Sequence, residues 1–202
     1  MNSLKQYEKE KGEIRAGDIV VFHGQGPLSW VIEAFDNGPS HSSIVRQAHL
    51  DDIIICQSTI QKWNGVERNG VQTESLQETI AGYDSGGCIT CLRLLDAVRM
   101  KINWFEFYKI IGMAEDSVKY DTIGLFEYLL RDIPILGAHV GQGEHKKEMV
   151  CAAWVGAVLT ACGVLEHINW TQLTPQNLVE MKLYKDYVVL YGNPKLVRFN
   201  TL

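Results

Sequence analysis

The sequence predicts an α+β domain in which an antiparallel sheet packs against helices, and three observations carry that reading. β-Rich runs bounded by turn formers crowd the first half: IVVF (Ile19–Phe22), SSIVRQ (Ser42–Gln47) and DIIICQ (Asp52–Gln57). Helical patterns dominate the second half and include the small-residue run VCAAWVGAVLTAC (Val150–Cys162). No repeat or low-complexity tract interrupts the 202 residues, which are most economically one domain, 1–202. With 46% hydrophobic and 21% charged residues, such a chain can bury a substantial core.

Taken in order, residues 1–16 read as a charged lead-in. Gly17-Asp18 opens the first strand, and Gly24, Gly26 and Pro27 close it. PLSWVIEAF (Pro27–Phe35) predicts a short amphipathic helix ended by Asp36-Asn37-Gly38-Pro39. Ser42–Gln47 and Asp52–Gln57 form a hairpin. Ser58–Gly70 reads as a polar loop, and Val71–Glu74 as a short strand before the helix SLQETIAGY (Ser75–Tyr83). Cys88–Leu95 predicts a strand, while Val98, Ile102, Phe105 and Ile110 predict one helix over Ala97–Met113. Tyr120-Asp121 opens another helix, with Asp121 as its N-cap, and Gly137–Lys147 is a Gly-rich loop containing histidines. Thr174-Pro175 caps PQNLVEMKLY, and YVVLY (Tyr187–Tyr191) is the last strand.

Charge and cysteine content exclude several function classes. The net charge is −5 and basic residues form only short runs at Lys5–Lys11 and Lys146–Lys147, which argues against nucleic acid as a partner. The five cysteines, Cys56, Cys88, Cys91, Cys151 and Cys162, are odd in number and rule out a complete disulfide framework, as expected in a reducing compartment. Cys88 and Cys91 form a C-x-x-C pair, yet a spacing of three in a strand sends them to opposite faces, against zinc binding. The polar start MNSLKQYEKEKGE and the lack of a run of about 18 apolar residues predict a cytoplasmic protein with neither signal peptide nor membrane span.

Cys151 heads the small-residue helix, where the macrodipole and first-turn N–H groups favour thiolate over thiol. The same helix carries Ala152, Ala153, Gly156, Ala157 and Ala161, which predict a close approach to the sheet. His41 heads a strand and is the candidate base. A three-residue hairpin turn sets His41 opposite Gln57, and a four-residue turn sets it opposite Ser58. Gln57 is therefore the candidate orienter of the imidazole, as a neutral amide oxygen can be. His23 and Gln25, just after the first strand, are candidate substrate or oxyanion contacts.

GDIVVF (Gly17–Phe22), PSHSSIV (Pro39–Val45), the strand ending at Gln57, NGVQTESL (Asn69–Leu76), KYDTIGLF (Lys119–Phe126), MVCAAWV (Met149–Val155) and LTPQNL (Leu173–Leu178) follow one another along nearly the whole chain. In that order the chain resembles the circularly permuted papain-fold cysteine hydrolases of the NlpC superfamily, in particular the YiiX-like branch, related more distantly to lecithin:retinol acyltransferase. The resemblance implies His41 as base, Cys151 as nucleophile, Gln57 as third polar residue and a Tyr120 ring lining the cleft. It implies no metal or organic cofactor, and a peptide, peptidoglycan-derived fragment or other amide as substrate. Two positions depart from the branch: Gln57 replaces a commonly acidic residue, and Ala152-Ala153 replaces the frequent Ser-Glu. The resemblance also admits a lipid-directed thioesterase or acyltransferase touching acyl chains through WFEFY (Trp104–Tyr108), or a catalytically silent binding module.

Overall fold

A computed structural model describes residues 4–24, 38–49, 52–59, 62–63, 66–67, 70–83, 86–117, 150–166, 168–170 and 173–193. The helices expected at Pro27–Phe35 and after Tyr120, and the Gly137–Lys147 loop, lie outside these residues. The elements are α1 (Lys5–Glu10), β1 (Ile19–His23), β2 (His41–His49), β3 (Asp52–Thr59), β4 (Lys62–Trp63), β5 (Val66–Glu67), β6 (Gly70–Ser75), α2 (Leu76–Ala81), β7 (Cys88–Leu94), α3 (Asp96–Arg99), α4 (Trp104–Ser117), α5 (Val150–Ala161), α6 (Pro175–Glu180) and β8 (Tyr184–Tyr191). Six strands pair antiparallel in the order β6-β3-β2-β1-β7-β8, giving an α+β protein with helices packed on the sheet.

Alternation along the strands separates two cores. Ile19, Val21, Ile44, Cys56, Leu92 and Leu94 meet Phe107, Ile110 and Ile111 of α4 and Trp154, Val155 and Val158 of α5. Val20, Phe22, Val45, Ile55, Ile89 and Cys91 meet Tyr7, Ile14, Leu76 and Ile80 on the other side. Cys88 pairs with His23 and Cys91 with Val20, so the two thiols do take opposite faces.

Several local expectations are corrected. The lead-in is structural: Tyr7 of α1 is 1% exposed, and its charged neighbours turn outward around that one anchor, a pattern too sparse to register as periodicity. The helix expected over Ala97–Met113 is two helices, broken where Ile102 drops into the core and Asn103 N–H donates to the Cys162 carbonyl (2.9 Å). Phe105, assigned to the buried face, is 72% exposed. The polar stretch Ser58–Gly70 includes a small hairpin, β4 with β5. Helix α6 stops at Glu180 because Met181 is extended (ψ 139°), while Thr174 is its N-cap as expected and forms a capping box with Asn177.

The β2–β3 ladder runs on to His49 opposite Asp52, further than the expected three- or four-residue turn allows, with a bulge between Val45 and Gln47. Bulged Arg46 donates through Nη1 to both carboxylate oxygens of Glu115 on α4, each at 2.9 Å. Extending the Val45–Ile55 register sets His41 opposite Thr59, with Gln57 one diagonal step away on the same face.

The Gly17-Asp18 motif is a buried latch. Asp18 is 0% exposed, and its carboxylate accepts from Arg15 N–H (2.8 Å), Leu94 N–H (2.9 Å) and Arg99 Nη2 (2.5 Å). It binds the start of β1 to the end of β7 and to α3.

Gly156 permits a close approach, but to the segment after α5 rather than to the sheet: an added Cβ would fall 2.5 Å from Leu173 Cδ1 and 2.9 Å from Trp170 Cβ. Overpacking of this kind costs about 1–3 kcal/mol, against roughly 1 kcal/mol gained by Ala in a helix. Gly156→Ala should therefore lower the unfolding free energy in urea by about 1 kcal/mol; an unchanged or raised value would show that the contact yields freely.

Candidate active site

Cys151 is the second residue of α5 and 5% exposed. Its sulfur shares a hydrogen bond with the His41 ring and receives backbone N–H groups from Ser42 and Ala152. His41 begins β2 opposite Phe22 of β1, and their rings lie 5.4 Å apart, which braces one side of the imidazole. His41 Nε2 is 2.5 Å from Gln57 Oε1. The thiol is left the other ring nitrogen, Nδ1. Cys151, His41 and Gln57, singled out separately in the sequence, are thus joined in one line.

Burial opposes the charged form of Cys151, but the His41 charge, its hydrogen bond and the two N–H groups outweigh that and lower the thiol pKa. His41 is the complement: burial opposes its charge, while Cys151, the bond to Gln57 and the more distant Glu74 carboxylate raise its pKa. Both shifts favour a thiolate–imidazolium pair. All five cysteines are free thiols, and the other four are shifted the opposite way. Burial alone dominates at Cys56, Cys88, Cys91 and Cys162, raising each.

Sequence reading missed Glu74 and Thr79. Gln57 Nε2 donates to Glu74 Oε1, and the Thr79 hydroxyl lies 3.0 Å from the same oxygen. The signal was the alternation in Gly70–Ser75, which places Gln72 and Glu74 on one face, but it acquires meaning only once β6 is paired with β3. Gln25 and Tyr120 lie outside the described residues. His23 ends β1 and is 3% exposed, and burial lowers its pKa to about 4, so it is a neutral imidazole at pH 7. Among the described residues no group of three or more His, Cys, Asp or Glu side chains is arranged to hold a metal ion. No described helix is long and apolar enough to cross a membrane.

No protein-family model and no curated protein matches the chain.

The His23 shift has a sign that can be tested. Its pKa falls from 6.5 in the unfolded chain to about 4 in the fold, so the unfolded state binds the extra proton between those values. The contribution is fully present above pH 6.5 and is lost as pH falls towards 4, by an amount on the order of 3 kcal/mol. Denaturant titrations from pH 7 to 4 should show that decline, and His23→Gln should flatten it.

Proposed function

We propose that the protein is a thiol hydrolase that cleaves an amide bond in a peptide or peptidoglycan-derived substrate, on a circularly permuted papain-like fold of the NlpC type. The observation that carries the reading is the contrast among the cysteines: Cys151 alone has a lowered pKa, and it alone shares a hydrogen bond with an imidazole at a helix start. The chain order, base on a strand before nucleophile on a helix, supports the permuted arrangement.

In this reading the Cys151 thiolate attacks the carbonyl carbon, forming a carbon–sulfur bond. First-turn N–H groups of α5, which have no partner within the helix, stabilise the oxyanion; the Cys151 N–H is the candidate donor. His41 then gives its Nδ1 proton to the departing amine as the carbon–nitrogen bond breaks. The thioester is hydrolysed when His41 takes a proton from water, whose hydroxyl ends on the acyl carbon and releases the carboxylic acid and the thiolate. Gln57 keeps the ring aligned throughout.

The pair is active with cysteine deprotonated and histidine protonated. Its window opens below the ordinary thiol value near 9 and closes above the ordinary imidazole value of 6.5. Iodoacetamide at pH 6 should label Cys151 at least about tenfold faster than the other four cysteines, read by peptide mass mapping. His41→Ala should erase that advantage, and Cys151→Ala should abolish turnover. Labelling that falls first on Cys56 or Cys162 would end the nucleophile assignment.

One observation favours a lipid-directed thioesterase or acyltransferase as a second reading. Met100, Phe105, Tyr108 and Met113 are 82%, 72%, 46% and 43% exposed, an unusual amount of apolar surface along α4 and the turn before it. Parallel assays with a peptide amide and an acyl thioester separate the two, since both depend on Cys151 but only the second should weaken in Phe105→Ser/Tyr108→Ser.

A further inference from the structure

The line of hydrogen bonds does not stop at Gln57. Its amide carries an acceptor oxygen and a donor NH2, which could exchange places by a half-turn of the terminal bond. Glu74 decides between the two orientations, because a carboxylate can only accept. The Gln57 NH2 must face Glu74 Oε1, so its carbonyl must face His41 Nε2. A carbonyl oxygen can only accept, so Nε2 must carry the proton, and Nδ1 is the nitrogen that exchanges a proton with the thiol. Glu74 is itself held: it sits on β6 at the residue paired with Ile55, and the Thr79 hydroxyl of α2 lies 3.0 Å from its Oε1 and 2.9 Å from the Ser75 carbonyl.

We infer that Glu74 is a positioning residue for the Cys151–His41 pair, locking the Gln57 amide so that His41 is held as the Nε2–H tautomer with Nδ1 towards the thiol. The inference rests on the hydrolase reading and adds to it a residue that touches neither nucleophile nor base. Without Glu74 the amide is free to present NH2 to Nε2, which favours the opposite tautomer and removes the base from the thiol. The diagonal geometry also explains why position 57 is Gln: Asn would be one methylene short of spanning from β2 to β6. A Glu there would set two carboxylates side by side.

Among the described residues, the charged groups acting on His41 are Cys151 from α5 and Glu74 from β6. Arg46 of β2 is occupied by Glu115 of α4 (2.9 Å), and Asp52, at the turn end of β3, accepts from Ser75 (3.0 Å). A change at Glu74 therefore reads out through the pair.

The test uses the full chain. The pH profile of Cys151 alkylation is measured for wild type, Glu74→Gln, Gln57→Leu and the double variant, alongside ring ¹⁵N spectra of His41. Glu74→Gln keeps the side-chain shape but can donate as well as accept. Its alkylation midpoint should rise by roughly 0.5–1 pH unit and its rate at pH 6 fall about three- to tenfold. In the Gln57→Leu background the same substitution should add clearly less, only the part that the Glu74 charge exerts on His41 through space, because the relay is already cut. Equal shifts in both backgrounds would mean that Glu74 acts on His41 by its charge alone and overturn the inference, as would an unshifted Glu74→Gln profile. Wild-type spectra supply a check that needs no variant to fold: neutral His41 should be protonated at Nε2, and protonation at Nδ1 overturns the inference. A wild-type Cys151 midpoint near the ordinary thiol value is a different failure, that of the hydrolase reading.

Discussion

The bulged register of β2 on β3 is the constraint on which the site depends. With Val45 opposite Ile55 and Ile55 opposite Glu74, positions 41, 57 and 74 fall on one face and in one slanting row across three adjacent strands. A slip of one residue would send one of the three to the opposite core. The same bulge releases Arg46 to reach Glu115 on α4, so the irregularity that sets the row also ties the strand to the helix layer. Neighbouring strands, not a flexible loop, hold the imidazole and its partners.

Electrostatics then distinguishes one thiol from four. Every cysteine pays the desolvation of a thiolate, and at Cys56, Cys88, Cys91 and Cys162 the nearby donors and cations offset too little of it to prevent a raised pKa. At Cys151 a cationic ring and two N–H groups converge on one atom. The helix contributes through its first turn only, since Cys162 at the other end of α5 gains nothing comparable and donates instead to the Leu159 carbonyl (3.4 Å).

Much of this was legible in the sequence, for identifiable reasons. Ile19–Phe22, Asp52–Gln57 and Cys88–Leu94 announce themselves by β-branched density, and Thr174-Pro175 by capping chemistry. Cys151, His41 and Gln57 stood out because nucleophile, base and amide are few in kind. The Gly17-Asp18 pair was read as a strand opening only, since its partners lie at Leu94 and Arg99 and no local pattern links them. Glu74 was invisible for the same reason, and the Tyr7 anchor because a single buried ring among charges has no period. Gly156 stands out in the sequence as a point of close approach, but its neighbours are Trp170 and Leu173.

The distant partners of Asp18 also bear on how the chain assembles. Its bonds span 76 residues to Leu94 and 81 to Arg99, whereas β2 and β3 are neighbours in sequence and pair up to His49 opposite Asp52. Loop-closure entropy makes the hairpin the early event and the β1–β7 seam, in the interior of the sheet, a late one. Until that seam closes, the Asp18 carboxylate and the Arg99 guanidinium each stay hydrated, and both give up that water in the same step. The row carrying His41 and Gln57 is thus laid down on a nascent hairpin, and the latch at Asp18 commits the sheet around it.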